Sequence, residues 1–237
     1  MMRLIAIVVS VALIVCVCGC VQPELPDMPS TDPTTAPASE PTTLQDPIGQ
    51  SGTPVDDETL RFFEQEILQY PSWYNMILTT QFSVPEDADL YFIFYNGIGE
   101  NGAVAENKEL TQEEIDCLTG LGYEMEYAYS RISVEGMNAV LLRYLGISFE
   151  ASNKRGLEDF IYLESTGCYY HQHTDANMLM DFTVESGYSY EDGTIHLYYS
   201  TGKNSNPRFA ENRVVVLRAI QNDQGDTYQI VSNQTVD

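Results

Sequence analysis

The chain has 237 residues, 43% of them hydrophobic and 11% aromatic, with only 19% charged. That is too apolar for a chain disordered throughout, and long enough for one ordinary domain. The 35 acidic and 11 basic side chains leave a formal charge of −24, which repels phosphate backbones and anionic head groups, so no nucleic-acid partner is expected.

Arg3 precedes an apolar run from Leu4 to Cys18, interrupted only by the small polar Ser10. At about 15 residues it is short of the roughly 20 that a membrane-spanning helix needs, and it suits the hydrophobic stretch of a signal peptide. The run ends in Val17-Cys18-Gly19-Cys20. This tetrad resembles the lipobox of bacterial lipoproteins: an aliphatic residue, a small one, Gly or Ala, then the lipidated Cys. Cys18 in the second place is a mild departure from that pattern. The resemblance implies a signal peptide over residues 1–19, cleavage before Cys20, and a diacylglyceryl group on Cys20. That lipid would anchor the protein in the cell membrane on its extracytoplasmic face. The alternative, an uncleaved anchor helix, also places the rest of the chain outside the cytoplasm.

Residues 21–55 have a different composition. They hold 8 of the 11 prolines, many Thr and Ser, and no Lys or Arg. No stretch repeats at helical spacing or alternates as a strand would, so residues 20–55 read as the lipidated Cys followed by a solvated tether.

From Asp56 the pattern becomes that of an amphipathic helix, with Leu60, Phe63 and Ile67 on one stripe. Trp73, Met76 and Ile77 suggest a second short helix after Pro71. Residues 89–95 are ambiguous: their composition suits a buried strand, but periodicity cannot assign so short an apolar run. Thr111 and Glu114 have capping-box spacing, flanked by Leu110 and Ile115, and Ile115, Leu118 and Leu121 form the expected buried stripe. Ser133 caps a further helix that presents Met137, Val140, Leu141 and Tyr144 and stops at Gly146. Residues 157–163 suggest a short helical turn.

After Gly167 the period changes to two. Cys168 to Asp175 reads as a strand, and Phe182 and Val184 alternate with polar neighbours. Asp192-Gly193 marks a hairpin turn, after which Ile195, Leu197 and Tyr199 alternate with His196 and Tyr198. Residues 213–221 and 228–236 make a last pair. Helices followed by strands indicate an α+β fold, with N-terminal helices packed on a curved antiparallel meander of about four or five strands, all within one domain over residues 56–237. That order resembles NTF2-like and cystatin-like cones in topology, and topology transfers no activity. The tract from Tyr169 to Tyr199, with Tyr169-Tyr170-His171-Gln172-His173 and Leu197-Tyr198-Tyr199, resembles uncharacterised lipid-anchored bacterial proteins. That likeness implies no function.

One constellation invites a chemical reading. His171, His173 and Asp175 share a face if the strand continues, and His196 lies on a neighbouring expected strand. Two imidazoles at i and i+2 are half of a zinc site, or of a site for another divalent transition metal, and Asp175 or His196 can complete it. The competing reading makes Tyr169, His171, His173, His196 and Tyr198 a hydrogen-bonded aromatic face that lines a ligand pocket and needs no cofactor. The 16 tyrosines suit recognition of a small ligand, a glycan or a surface protein. Cys117 and Cys168 can pair in an oxidising compartment or remain thiols. Signatures of nucleophilic, P-loop, zincin and EF-hand chemistry are missing from the sequence. The sequence therefore suggests a lipid-anchored binding module, with a metal-binding domain built on His171 and His173 as the alternative.

Overall fold

A computed structural model of the protein describes residues 44–45, 49, 51–69, 72–95, 110–125, 129–172, 181–201, 211–222 and 225–236. The signal peptide, Cys20, most of the tether, His173 and Asp175 lie outside these residues.

Short polar side chains set where the helices begin. Asp56 accepts from the Glu58 and Thr59 amides at 3.0 and 2.9 Å and starts α1 (Asp57–Phe62). A π-helical turn, Phe63–Leu68, continues it and buries Phe63, Ile67 and Leu68. Ser72 caps α2 (Trp73–Ile77). Asp89 caps α3 (Leu90–Phe94), so the ambiguous apolar run is a helix, with Leu90, Ile93 and Phe94 buried. Thr111 and Glu114 form the full capping box of α4 (Gln112–Gly120). Ser133 caps α5 (Val134–Tyr144), whose Met137, Val140, Leu141 and Tyr144 are buried as expected. The expected stripe of α4 holds only in part. Leu118 is buried, but Leu121 lies past the end of the helix and is 60% exposed.

The architecture is α+β, but the strands do not all follow the helices. The larger sheet is antiparallel, in the order β1 (Leu44–Gln45), β2 (Ser51–Pro54), β6 (Phe182–Ser189), β7 (Thr194–Thr201), β8 (Asn212–Asn222), β9 (Gly225–Thr235). Phe182, Leu197, Tyr199, Val215, Leu217 and Ile230 on this sheet share one core with Phe63, Leu68, Ile77, Phe94, Met137 and Leu141 from the helical segments. The first two strands correct the tether reading: residues 44–45 and 51–54 extend the sheet edge, with Thr53 opposite Ser189 and Pro54 opposite Tyr188. Edge pairing of this kind uses main-chain groups, so it leaves no hydrophobic alternation to read. Gly52 has room there only because it lacks a side chain; a Cβ would stand 3.0 Å from Tyr188 and Tyr190.

A second correction concerns the strand from Cys168. It is not the first strand of the meander but β5 (Cys168–Gln172), the centre of a separate sheet between β3 (Tyr129–Ser133) and β4 (Ile161–Leu163). β3 escapes a sequence reading because five residues of mixed polarity run directly into the cap of α5. Residues opposite one another in an antiparallel pair share a face. Cys168, Tyr170, Arg131, Tyr129 and Leu163 therefore lie on one face, where Tyr129, Leu163 and Tyr170 pack with Leu118 of α4 into a small second core. The other face sends Ile132 and Tyr169 into the main core. Cys117 and Cys168 both flank the small core, and both are free thiols, so the disulfide between them is not formed.

Two buried polar clusters fasten these layers. Beneath α4, Glu114 accepts from the Thr111 amide (2.6 Å), the Tyr170 hydroxyl (2.6 Å) and Arg131 Nη1 (2.9 Å). Burial pushes this carboxyl up, but the donors outweigh it and bring it down to about 2. In the larger sheet Arg213, 1% exposed, donates to the Leu78 carbonyl at 2.8 Å. Beside it Tyr199 donates to Asn233 at 2.7 Å, and Asn233 donates to the carbonyls of Leu78 and Thr80. Burial raises the Tyr199 hydroxyl to about 12 despite the nearby guanidinium.

Candidate functional site

The three histidines do not meet in one sheet. His171 is on β5 of the small sheet and His196 on β7 of the larger one, so the four-residue metal set is not assembled as a single sheet face. Among the described residues no group of three or more His, Cys, Asp or Glu side chains can hold a metal ion. His196 packs its ring against Tyr190 at 4.2 Å, and Tyr198 stands edge-on to Tyr188 at 6.1 Å. Tyr190 lines a cavity of about 560 Å³ along the β2–β6 edge with Gly52, Thr53 and Glu191. Tyr169, on the same face of β5 as His171, packs against Tyr162, Phe149 and Phe160, and burial raises its hydroxyl.

His171 is built into an aromatic ring of four side chains. It stacks on Tyr95 (4.7 Å, 19°) and meets Phe160 edge-on (5.1 Å, 86°). Tyr91 closes the circuit, 5.1 Å from Tyr95 and 5.7 Å from Phe160. Both imidazole nitrogens face backbone carbonyls: Nδ1 lies 2.7 Å from the Gln172 oxygen and Nε2 2.9 Å from the Tyr95 oxygen. Both neighbours are acceptors, so a neutral ring serves one of them and only the imidazolium donates to both. His171 is 4% exposed and acts first as the pin that holds α3 to the small sheet.

Three members of the circuit, Tyr91, Phe160 and His171, line a hollow of about 250 Å³ at the end of the small sheet, where β3 and β4 begin and β5 ends. Tyr91 enters it from α3, Tyr123 from the turn after α4, and Tyr129 from the start of β3. The 3₁₀ turn Leu157–Asp159 places Glu158 and Asp159 there, and the chain continues through Phe160 and Ile161. His171 and Gln172 complete the lining.

Local backbone geometry brings the acidic turn against α3. Gly156 has φ +83, and a Cβ there would collide with the Asp89 carboxylate and sit 2.8 Å from Tyr91. The Arg155 carbonyl accepts from the Leu90 amide at 2.8 Å, and its guanidinium stands 3.6 Å from Asp89. Burial raises the Asp89 carboxyl, and the Phe92 amide, Arg155 and the Tyr91 amide offset part of that rise. Burial also raises the Tyr91 hydroxyl, helped by Tyr95 and by the charges of Asp159 and Asp89. A Tyr129 hydroxyl raised by burial donates to the Glu124 carbonyl at 3.1 Å.

Of the residues expected from sequence to line a pocket, His171 lies in this hollow, while Tyr169, His196 and Tyr198 are not among its lining and His173 lies outside the described residues. Tyr91, Tyr123, Tyr129, Glu158 and Asp159 were missed, because their convergence depends on β3 and on the turn at Gly156. The adjacency Glu158-Asp159-Phe160-Ile161 was the available signal, with two acids joined directly to apolar residues. The chain matches no known protein family, no curated protein and no solved structure. The site therefore defines itself: a small aromatic and acidic hollow in an α+β domain.

Proposed function

We propose that the protein is a lipid-anchored module on the extracytoplasmic face of the membrane that binds a ligand in the hollow beside His171. The anchor rests on the sequence Val17-Cys18-Gly19-Cys20 after an apolar leader. The binding reading rests on one observation: five separate segments of chain bring aromatic and polar residues to a single concave site of about 250 Å³. The lining mixes aromatic residues with acidic and polar ones, and its volume suits a compact head group better than a polymer.

A melting-temperature screen of the full-length chain in detergent tests the reading. The probes are monosaccharides, free amino acids, carboxylates and organic ammonium ions. A ligand of the folded state raises the melting temperature with concentration, and the rise should vanish in Tyr123→Leu. Hits that persist unchanged in that variant would place binding elsewhere. The anchor is tested by the mass of the processed N-terminus, which should carry a diacylglyceryl group on Cys20 and lose it in Cys20→Ala.

A further inference from the structure

We infer that the ligand of this hollow is an organic ammonium cation, an inference that rests on the hollow being the binding site. Three observations carry it. The first is the wall: four aromatic residues, Tyr91, Tyr123, Tyr129 and Phe160, are among those that line the space. Aromatic faces are the electron-rich side of the ring quadrupole, and a cage of them attracts a diffuse positive charge without needing to strip it of strongly held water. A quaternary or methylated ammonium fits that description better than a metal ion, which needs lone-pair donors converging on a point.

The second observation is the charge balance. Glu158 and Asp159 both line the hollow and are exposed to solvent, and neither forms an ion pair among the described residues. The nearby cations are engaged elsewhere, Arg155 with Asp89 and Arg131 with Glu114. Among the described residues no Lys or Arg lines the site. An anionic or phosphorylated ligand would therefore meet the carboxylates of Glu158 and Asp159, with no Lys or Arg among the described lining residues to receive it.

The third observation is the floor. His171 holds its two nitrogens on the carbonyls of Gln172 and Tyr95, which presents the ring edge-on to Phe160 and leaves no convergent lone pairs for a metal. The chain as a whole carries −24, and this field raises the concentration of cations near its surface.

The experiment is a calorimetric or NMR titration of the full-length chain in detergent. Its probes are choline, its neutral carbon isostere 3,3-dimethylbutan-1-ol, and a neutral monosaccharide. Choline and the alcohol share shape and differ in charge. Choline should bind at least about tenfold more tightly than the alcohol. Exchanging both rim carboxylates (Glu158→Gln with Asp159→Asn) should weaken choline several-fold while leaving the alcohol unchanged. Tyr123→Leu, at a ring that is 43% exposed and so removable without loss of fold, should weaken choline as well. Unchanged melting temperatures of the unliganded variants confirm that the fold is intact.

Equal affinity for choline and the alcohol, or binding of the monosaccharide alone, overturns the ammonium assignment and leaves the hollow as a binding site for neutral ligands. Binding of none of the probes, here and across the wider screen, overturns both the assignment and the site. Choline binding that is indifferent to the carboxylate and Tyr123 changes overturns the assignment by placing the cation elsewhere.

Discussion

The large and small sheets each bury a polar side chain among aromatic rings, to different ends. Arg213 is buried, donates to the Leu78 carbonyl and stands 3.6 Å from the Glu211 carboxylate, while its neighbours Tyr199 and Asn233 are bonded to one another. His171 is equally well bonded, but with Tyr91 and Phe160 it lines an open hollow. Buried polarity alone thus does not mark a site. What distinguishes the second region is that its aromatic wall has one side facing space, with carboxylates at the rim.

This contrast can be broken by experiment. Arg213→Ala removes the larger buried group, opens a cavity beside Tyr199, and leaves the Leu78 carbonyl with Asn233 as its remaining donor. The expected loss is about 3 kcal/mol or more in urea unfolding, with binding at the hollow unchanged while the protein is folded. A weakened probe affinity in that variant would show that the two regions are coupled.

Glu114 supplies the next effect and a pH test. Its carboxyl titrates at about 2 when folded, against an ordinary value of 4.5. A depressed folded value means that its stabilising share is complete above the unfolded value and is lost as pH falls towards 2. At about 1.4 kcal/mol per unit the share is roughly 3 kcal/mol. Glu114→Gln should therefore be less stable than the wild type at pH 7, and the gap should close between pH 5 and pH 2. A gap independent of pH would mean that the capping geometry matters and the charge does not.

His171→Phe keeps a ring there and removes the imidazole N–H donation to the Gln172 and Tyr95 carbonyls. The two carbonyls lose their partner in a buried setting, at a cost of about 1–3 kcal/mol. Here stability and probe affinity should fall together, unlike the Arg213 change. Asp56→Ala removes the exposed cap of α1. About 1 kcal/mol is expected, read most directly as faster hydrogen exchange at the Thr59 amide. Tyr123→Leu closes the series, with stability within about 0.5 kcal/mol of wild type and the loss confined to binding.

How much of this was legible from the residues follows from the range of the interactions involved. Thr111 with Glu114, and Ser133 with Gly136, act within one helical turn, so their spacing announces them. The β6–β9 meander could also be read, because Phe182, Leu197, Val215 and Ile230 alternate on one buried face. β2 and β3 could not, since an edge strand and a five-residue strand running into a helix cap are held by pairing with distant segments. Glu114 is legible from its spacing only as the capping-box partner of Thr111. Its burial depends on Tyr170 and Arg131, far along the chain. Arg213 occupies an inward position beside Val215 and Leu217, where alternation predicts an apolar residue. The hollow was invisible for the same reason, as its walls come from parts of the chain with no common pattern.

The strands at the start of the domain have a mechanical consequence. A protein held by its N-terminal end transmits any pull first to β1 and β2, which are joined to the rest of the sheet through the short pairing of Thr53 and Pro54 with β6. Such a joint yields before α1 or the core feels the force. Releasing residues 44–55 would pay out roughly 40 Å of chain. Stretching single molecules from the N-terminus should show this as a small, reversible extension at low force, well below the main rupture. The edge of the sheet would then act as a spring that lets the domain give under shear without losing its fold.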